Sequence, residues 1–448
     1  MPSWVEWNRI PGMDGLRWLF SLTNYEKGMP AKYGVRDFSL DRYRSLLKSL
    51  DSPHLCGIPT VQILGTDGKG STLAFLESLL QKSGKTACSF ISPHLVDVTE
   101  RFRIGQQSIP KRQLNQCLEK VQIHAHLHEG LTFFEALNAA FWLWAQEMQP
   151  DFVLLETGLG GRLDTTTVCQ PAVKILTLLD RDHVPLLGKT VKQIALEKLT
   201  ALPSGIPAII SRQSPWLAPF IENHLEEASI PAHWTIRELD SEVMNRTRSG
   251  WEIRIRDRTG ADFFFHSPLP GDHQVANLEA AFLALAILGV SLPQSAERMD
   301  LQPAWQGRCQ LMDSKSGGLW VLDGSHTPLA GQALRAVLDQ VLPGWSAREF
   351  FVACSRDRFP WCYLRGLVRE DIDRVVLVQA DHPRLWPSND LREALHRVGW
   401  CEQGLPQLEV MEVGEILGSS PVEGEVKVIC GSLYWVGHAL GVLGPAMV

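Results

Sequence analysis

The chain has 448 residues, of which 45% are hydrophobic and 21% are charged, and it carries a net charge of −7. These proportions are typical of a folded globular protein and exclude collagen-like, coiled-coil and largely disordered chains. Since domains average about 150 residues, two or three domains are expected. The mildly acidic balance argues against a general nucleic-acid binder.

No targeting or membrane segment is recognisable in the sequence. Residues 1–20 lack the continuous apolar core of a signal peptide. The longest apolar stretch, residues 280–290, is far shorter than the ~20 residues of a membrane span. The nine cysteines are scattered singly, with no CxxC pair, which favours reduced core thiols. We therefore expect a cytoplasmic protein.

Apolar strand-like runs alternate with amphipathic stretches through most of the chain, which predicts an α/β fold. The first half contains five predicted buried parallel strands, at residues 61–64, 87–91, 152–155, 174–178 and 208–210. A helix is predicted over 71–81, between the first two of them. Residues 251–256 and 261–266 alternate in polarity and predict an antiparallel hairpin appended to this sheet.

A second α/β set begins after Pro293. Its predicted strands are residues 320–322, 350–354, 375–379 and 426–430, and its predicted helices lie near 329–342 and 389–398. Pro293, Ser295 and Pro303 interrupt the pattern, which indicates a domain boundary and a hinge within 292–303. We expect an N-terminal domain over 1–298, with a P-loop-type, mostly parallel sheet and helices on both faces, and a smaller Rossmann-like α/β domain over 299–448.

The strongest chemical signal is a glycine-rich segment between the first predicted strand and helix, consisting of Gly65, Thr66, Asp67, Gly68, Lys69, Gly70 and Ser71. Such a turn lets backbone N–H groups and a helix N-terminus surround phosphate oxygens, and Lys69 adds a positive charge. The segment departs from the P-loop pattern because Gly70 separates Lys69 from Ser71. A glycine-rich strand-to-helix turn without a ligand is the alternative interpretation.

Acidic residues follow two further predicted strands. Glu156 ends the strand at 152–155, in the position where P-loop proteins keep a metal carboxylate. A tight turn capped by Asp164 is the alternative there. Asp182 and His183 follow the next strand, at the edge where open α/β sheets bind ligands. A single histidine in such a place is more often structural.

Lys198 lies on the apolar face of a predicted helix that Thr190 could cap. A buried lysine needs a partner or a modification, unless its amine reaches solvent past the apolar face. In the C-terminal half, Asp323 and His326 follow a strand, and Arg308 lies upstream. The guanidinium group of arginine is suited to binding phosphate, and the Asp323 carboxylate could accept a hydrogen bond from a ribose hydroxyl. A turn whose charged residues are only structural is the alternative interpretation.

Together, these motifs resemble the folylpolyglutamate synthase and dihydrofolate synthase family, within the Mur-type ATP-dependent amide ligases. The resemblance extends over about residues 60 to 437. The matching segments, in chain order, are Gly65–Ser71 (GTNGKGS in the family), Ser92–Leu95 with Glu100-Arg101, Thr132–Glu135, Glu156–Asp164, Asp182-His183, Glu197-Lys198, His273-Gln274 with Asn277, Arg308, Asp323–His326, Pro383-Arg384 and Gly431–Tyr434. Asp67, Thr167 and Thr327 stand where the family usually has asparagine.

The resemblance implies a role for each matching residue. The implied ATP ligands are Gly65, Thr66, Asp67, Gly68, Lys69, Gly70, Ser71, Asn277, Arg308 and Asp323. Two Mg²⁺ sites are implied, one on Ser92 and Glu156 and the other on His183, with a carbamylated Lys198 as a carboxylate-like ligand. The implied substrate-binding residues are Thr132, Phe133, Phe134, Glu135, Leu163, Asp164 and Thr165. Lys69, Lys198 and His326 would take part in catalysis.

The activity implied is formation of an amide between L-glutamate and a pterin-linked carboxylate through an acyl phosphate. ATP, L-glutamate and dihydropteroate or a reduced folate would be the partners of a monomer, without nucleic acid or membrane. The motifs do not separate dihydrofolate synthase from folylpolyglutamate synthase activity, so a bifunctional enzyme is expected. Another Mur-type amino-acid ligase is one alternative. The other is a non-catalytic nucleotide-binding relative, which the departures at Asp67, Thr167 and Thr327 would favour.

Overall fold

The structure is a computed structural model, and it describes residues 12–26, 40–293, 298–344, 347–369, 373–400 and 406–444. The predicted α/β fold is confirmed: the described residues form an eight-stranded, a four-stranded and a six-stranded sheet. Within these ranges no helix combines the length and apolar character that crossing a membrane requires. Ser295, one of the predicted boundary residues, lies outside the described ranges.

The first half is built on the eight-stranded sheet, in the order β4-β3-β2-β5-β1-β6-β7-β8. Its strands are β1 (Thr60–Leu64), β2 (Ala87–Phe90), β3 (Phe102–Ile104), β4 (Gln107–Ser108), β5 (Phe152–Glu156), β6 (Val173–Leu176), β7 (Ala208–Ile210) and β8 (Ala232–Trp234). The helices of this half are α1 (Asp14–Ser21), α2 (Leu40–Ser49), α3 (Lys69–Lys82), α4 (Lys111–Ala125), α5 (Phe133–Met148), α6 (Val184–Leu187), α7 (Val191–Leu199), α8 (Ala218–Glu227), α9 (Thr235–Glu238) and α10 (Asp272–Ile287).

The five predicted parallel strands are confirmed as β2, β5, β1, β6 and β7, each parallel to its neighbour. β1 and β5 are buried along their whole length, as expected for parallel strands that helices cover on both faces. Helices α1, α2, α4 and α5 pack on one face. Helices α3 and α10 pack on the other, as the predicted two-faced arrangement requires.

The predicted hairpin is confirmed and belongs to the four-stranded sheet. This sheet contains β9 (Asp240–Thr247), β10 (Gly250–Arg256), β11 (Asp262–Ser267) and β12 (Met299–Asp300). β10 and β11 pair antiparallel, with Trp251 opposite Ser267. β12 runs parallel to β11, so residues 299–300 pair with the first half of the chain. The domain boundary between 298 and 299 stays a prediction.

The second half is built on the six-stranded sheet, in the order β13-β14-β18-β15-β16-β17. Its strands are β13 (Gln310–Asp313), β14 (Leu319–Leu322), β15 (Ala347–Val352), β16 (Asp373–Gln379), β17 (Leu408–Glu412) and β18 (Glu425–Cys430). All but β13 run parallel to their neighbours. The helices are α11 (Pro328–Val341), α12 (Pro360–Leu367), α13 (Ser388–Arg397), α14 (Val413–Gly418) and α15 (Leu433–Leu443). The four predicted strands and two predicted helices of this half are thereby confirmed.

Candidate functional site

One large cavity lies where the two halves of the chain face each other. The eight-stranded sheet contributes residues that follow the carboxyl ends of β1, β5 and β6, and the six-stranded sheet those that follow β14, β15 and β18. These lining residues are 66–71, 156, 158–159, 182–183, 323–326, 355, 358 and 432–434. The carboxyl ends of parallel strands are where open α/β sheets bind ligands, so this cavity is the candidate site.

The glycine-rich segment leads from β1 directly into α3. Gly68 is the residue before the helix and has φ +88°, and no side chain caps the helix there. The first N–H groups of α3 are thus left for a ligand, as in phosphate-binding helix N-termini. A Cβ on Gly68 would clash with the amide oxygen of Asn277 in α10. Glycine is therefore required here by both conformation and space.

Lys69 and Lys198 both reach the same turn. Lys69 Nζ donates to the Thr66 carbonyl at 2.9 Å, and Lys198 Nζ donates to the Gly65 carbonyl at 2.7 Å. Burial lowers the pKa of both amines, that of Lys198 to about 7. Lys198 is 5% exposed, so the structure places its amine inside the protein and excludes the solvent-reaching interpretation.

Glu156 ends β5 inside the cavity. One of its carboxylate oxygens accepts from the Ser92 backbone N–H at 3.1 Å. Burial raises the pKa of this carboxyl group, while the nearby Lys69 ammonium lowers it. Ser92 and Glu156, which the resemblance assigns to one metal, are thus in direct contact.

The turn after Glu156 is held by Asp164. Its carboxylate accepts from the backbone N–H groups of Gly158 and Leu159 at 3.0 and 2.9 Å and from the Thr166 hydroxyl at 2.6 Å. The capping interpretation of Asp164 is therefore realised, although Asp164 also lines the cavity beside Leu163 and Thr165. Thr167 lies elsewhere: it lines a second cavity.

His183 precedes α6 and contacts the second half of the chain. Its Nδ1 lies 3.2 Å from Asp357 Oδ2, and its Nε2 lies 3.4 Å from the Arg358 guanidinium. Burial lowers the pKa of the His183 imidazole, while the hydrogen bond to Asp357 raises it. His183 is therefore paired across the cavity rather than grouped with Ser92 and Glu156.

Among the described residues, no three histidine, cysteine or acidic side chains stand together as a preformed metal cluster. Mg²⁺ is usually held by one or two carboxylates together with waters and substrate phosphates. The pair of Ser92 and Glu156 beside the phosphate-type turn offers oxygen donors of that kind. The donor chemistry at this end of the cavity thus suits a hard divalent cation.

The C-terminal residues of the predicted set line the opposite wall of the cavity. Asp323 accepts from the Cys309 and Ser325 backbone N–H groups at 2.7 and 2.8 Å. His326 Nδ1 lies 2.7 Å from the Gly324 carbonyl, and burial lowers the imidazole pKa. Arg308 lies against Gly324. The carboxylate, the imidazole and the guanidinium therefore converge on one wall.

Asn277, in α10, contacts the glycine-rich segment and the start of α3. Its amide nitrogen donates to Gln274 at 3.0 Å, and its oxygen accepts from Thr72 at 3.3 Å. Both Asn277 and Gln274 line the cavity, as does His273. The predicted HQxxN element thus contributes three residues of the wall.

Thr132 and Glu135 form a capping box at the start of α5. Glu135 is also paired with Arg42 at 2.8 Å. Thr132, Phe134 and Glu135 line the cavity, whereas Phe133 does not. Phe133 is 1% exposed and packs against Phe20, with ring centroids 5.8 Å apart. Successive helical side chains point about 100° apart, so Phe134 faces the cavity while Phe133 faces the core.

Several cavity residues were not singled out from the sequence as candidate ligands. Arg358, which follows β15, lines the cavity, and the same strand-end rule that selects Asp323 would have found it and its neighbour Asp357. Residues 23–26 also line the cavity. They are held by the second half, since Arg384 donates to the Tyr25 carbonyl at 3.1 Å and the Tyr434 hydroxyl donates to the Glu26 carbonyl at 3.3 Å. No sequence pattern indicates these long-range contacts.

Residues 63–285 match the profile of the Mur ligase middle domain. The chain is 27% identical over 421 residues to a dihydrofolate synthase/folylpolyglutamate synthase of Bacillus subtilis, covering 90% of this chain and 94% of that protein. It is 30% identical over 426 residues to a probable dihydrofolate synthetase of Schizosaccharomyces pombe, covering 91% of this chain and 98% of that protein.

Two solved structures share the fold. A Mycobacterium tuberculosis folylpolyglutamate synthase complexed with ADP matches with a TM-score of 0.79 at 21% identity, covering 97% of this chain and 98% of that one. A bifunctional folylpolyglutamate synthase/dihydrofolate synthase of Yersinia pestis, complexed with AMPPNP and a Mn ion, matches with a TM-score of 0.76 at 24% identity, covering 96% and 97%. At these identities the likeness establishes the two-domain fold.

Proposed function

Because the chain belongs to the dihydrofolate synthase/folylpolyglutamate synthase family of ATP-dependent ligases, we propose that it joins L-glutamate to the carboxylate of pterin-bearing acids. Dihydropteroate would be one acceptor and reduced folates the other, which makes the enzyme bifunctional. We further propose that the protein is an acid–amino-acid ligase, that it is monomeric, and that it is located in the cytoplasm. The predicted domains, 1–298 and 299–448, would close over ATP by a hinge within 292–303.

One observation carries this proposal. The glycine-rich segment Gly65–Ser71, called here the phosphate-type turn, opens at the start of α3 into a cavity. The second half of the chain builds the opposite wall of this cavity. Lys69 and Glu156 come from the half of the chain built on the eight-stranded sheet, whereas Asp323 and His326 come from the half built on the six-stranded sheet. A ligase that makes an acyl phosphate needs such an enclosed site, because water would hydrolyse the intermediate.

The proposed reaction has two steps. In the first, a carboxylate oxygen of the pterin acid attacks the γ-phosphorus of ATP, the bond to the bridging oxygen breaks, and ADP leaves. In the second, the neutral amino group of L-glutamate attacks the acyl carbon, phosphate leaves with the carbon–oxygen electron pair, and the nitrogen loses a proton. Lys69 and the N–H groups of α3 would stabilise the phosphoryl charge, since such catalysis is mostly positioning and electrostatics.

Lys198 is proposed to be carbamylated. A lysine amine reacts with CO₂ only when it is neutral, and the Lys198 pKa of about 7 makes a large neutral fraction available at physiological pH. The nitrogen–carbon bond forms, a proton is released, and an oxygen-donor anion replaces the ammonium. That anion suits a divalent cation better than an ammonium does.

Two Mg²⁺ ions are proposed, one held by Ser92 and Glu156 and the other by His183 with the modified Lys198. Bound Mg²⁺ would neutralise phosphate charge and orient the γ-phosphoryl group. The donor oxygens of Ser92 and Glu156 support the first site. Because His183 pairs with Asp357, the second site requires that this contact be exchanged.

Phosphate release by the purified protein with ATP, Mg²⁺ and L-glutamate tests the proposal. Dihydropteroate and a reduced folate are supplied in separate reactions, and the products are identified by mass. Release that requires both glutamate and dihydropteroate supports the synthase activity, and release with folate supports tail extension. Nucleotide binding without either release would overturn the proposal and leave a non-catalytic relative or a ligase for another acid.

A further inference from the structure

Asp67, in the phosphate-type turn, is hydrogen-bonded to the opposite half of the chain. The Thr327 hydroxyl donates to Asp67 Oδ2 at 2.7 Å, across 260 residues of sequence. Thr327 is also the N-cap of α11, where its oxygen accepts from the Ala330 N–H at 3.2 Å. One hydroxyl therefore caps α11 and connects it to the turn between β1 and α3.

A second carboxylate of the first half meets the same helix end. Asp180 Oδ2 accepts from the Leu329 backbone N–H at 2.9 Å. Burial raises the pKa of the Asp67 and Asp180 carboxyl groups.

 Asp180 is 7% exposed, and the Asp67 carboxylate is enclosed between the turn and α11. Negative groups stabilise the N-terminus of a helix through its unpaired N–H groups and its dipole. The first half thus supplies two carboxylates to one helix end of the second half.

A phosphate-binding role fits Asp67 poorly. A carboxylate repels the phosphate oxygens that the same turn would hold, and in this structure Asp67 is directed to a hydroxyl group instead. The Asp67 backbone N–H is also engaged, since it donates to the Leu178 carbonyl at 3.1 Å. The residue is therefore bound to its own protein through both side chain and backbone.

We infer that Asp67 and Thr327 are positioning residues, whose hydrogen bond holds the second half of the chain closed on the phosphate-type turn and sets the adjacent His326 over it. This inference rests on the proposed function, because it assigns the pair to the closed state in which acyl phosphate forms. Asp67 acts through Thr327 and not as an ATP ligand. Asp180, in the segment that follows β6, supports the same contact.

The test exchanges the donor and the acceptor. Thr327→Asp keeps an oxygen that can cap α11, because aspartate is a favoured N-cap, but it places a carboxylate against Asp67. Asp67→Asn combined with Thr327→Asp restores a donor and an acceptor with their positions reversed. Thr327→Ser retains both functions of the hydroxyl group and is the matched control.

We expect Thr327→Asp to lower kcat by about tenfold or more, since hydrogen bonds to charged groups are among the stronger ones, with the Kd for ADP changed less than about twofold. The double variant Asp67→Asn/Thr327→Asp, the reversed pair, should recover at least half of the lost kcat on a logarithmic scale. The kcat of Thr327→Ser should stay close to the native value. A native kcat in Thr327→Asp, or no recovery in the reversed pair, would overturn the inference.

Small-angle scattering separates this inference from the proposed function. Native protein with AMPPNP should be more compact than Thr327→Asp with AMPPNP, and the reversed pair should regain the native radius of gyration. That difference is readable even if no pterin acid is a substrate, so failure of the proposed function leaves this test intact. Identical radii for all three proteins would contradict the closing role of the pair.

Discussion

The two ends of the eight-stranded sheet each carry a cavity and a buried lysine, yet they differ in chemistry. At the carboxyl ends, Lys198 lies beside the glycine-rich turn and near carboxylates such as Asp164 and Asp67. At the amino ends, Lys174 of β6 donates to the Ala201 carbonyl at 2.6 Å. The second cavity is lined there, among described residues, by no acidic side chain.

This difference teaches that burial of a lysine does not by itself indicate function. Burial lowers the pKa of both amines, to about 7 for Lys198 and about 8 for Lys174. What distinguishes the carboxyl ends is the combination of an uncapped helix N-terminus, glycine-rich turns and facing residues of the second half. The first three predictions below therefore change one residue at the carboxyl ends and a counterpart at the amino ends, and the last concerns the amino ends alone.

The largest effect is expected from Lys198→Ala. Loss of the group proposed to carry the carbamate should lower kcat about a thousandfold, with far-ultraviolet circular dichroism unchanged. Lys174→Met, at the other end of the sheet, should retain native kcat. Phosphate release with glutamate and a pterin acid measures both. Full ligation by Lys198→Ala without an added carboxylic acid would disprove the modified-lysine proposal.

The two ends of β5 give the second comparison, because Asp151 precedes the strand and Glu156 ends it. Glu156→Gln removes a carboxylate from the proposed metal site, so half-maximal activity should require on the order of tenfold to hundredfold more Mg²⁺. Asp151→Asn changes only contacts outside the cavity, with the Thr86 N–H and hydroxyl at 2.8 and 2.9 Å and with the Lys85 ammonium at 3.1 Å. The Mg²⁺ concentration that gives half-maximal activity is measured for both variants. Equal values for the two variants would argue against a metal at Glu156.

Two glycines of positive φ give the third comparison. Gly68 has φ +88° and Gly205, before β7, has φ +80°. An added Cβ meets Asn277 at Gly68 but nothing within 4 Å at Gly205. Gly68→Ala should raise the KM for ATP about tenfold through displacement of the turn. Gly205→Ala should cost only about 1 kcal/mol of unfolding free energy, so an equal rise of KM in both would contradict a ligand at the turn.

The smallest effect concerns the pH dependence of stability at the amino ends. The folded pKa of Lys174 is about 8, whereas an unfolded lysine titrates near 10.4. Between these values the unfolded chain binds more protons, so the contribution of this lysine to the free energy of unfolding rises with pH. Below pH 8 the folded protein bears the whole cost of a buried ammonium.

Lys174→Met removes that dependence. Relative to native protein, the variant should lose stability progressively between pH 8 and about 10.4, by up to roughly 3 kcal/mol in total. Urea unfolding at several pH values measures the free energy of unfolding of both proteins. Their difference isolates Lys174, because the contributions of the other titrating groups are the same in both. A difference that stays constant across this window would show that burial does not lower the pKa of Lys174 in the folded protein.

Much of the fold was predictable because its signals are local. A buried parallel strand such as β5 is an apolar run that ends at Glu156, and the hairpin of β10 and β11 follows from alternating polarity. The site was predictable wherever a residue directly follows a strand, since all parallel strands end at one edge. Glu156 and Asp323 were found by that rule, and Asp357 obeys it too.

The orientation of side chains within a motif was less accessible. Phe133 and Phe134 adjoin in one segment, yet the first packs in the core and the second lines the cavity. Thr167 follows the turn held by Asp164 but faces the second cavity. The direction of each side chain depends on where its helix or turn begins, which a sequence motif does not specify.

By itself, the sequence determined the element types, the glycine-rich turn and the family to which the chain belongs, because these depend on local periodicity, turn chemistry and ordered motifs. Only the tertiary structure decided that Asp67 meets Thr327 and that His183 meets Asp357. These pairs join residues more than 170 positions apart, and their contact depends on how the two sheets pack across the cavity. Packing of that kind is set by the summed burial of many side chains, not by any one segment.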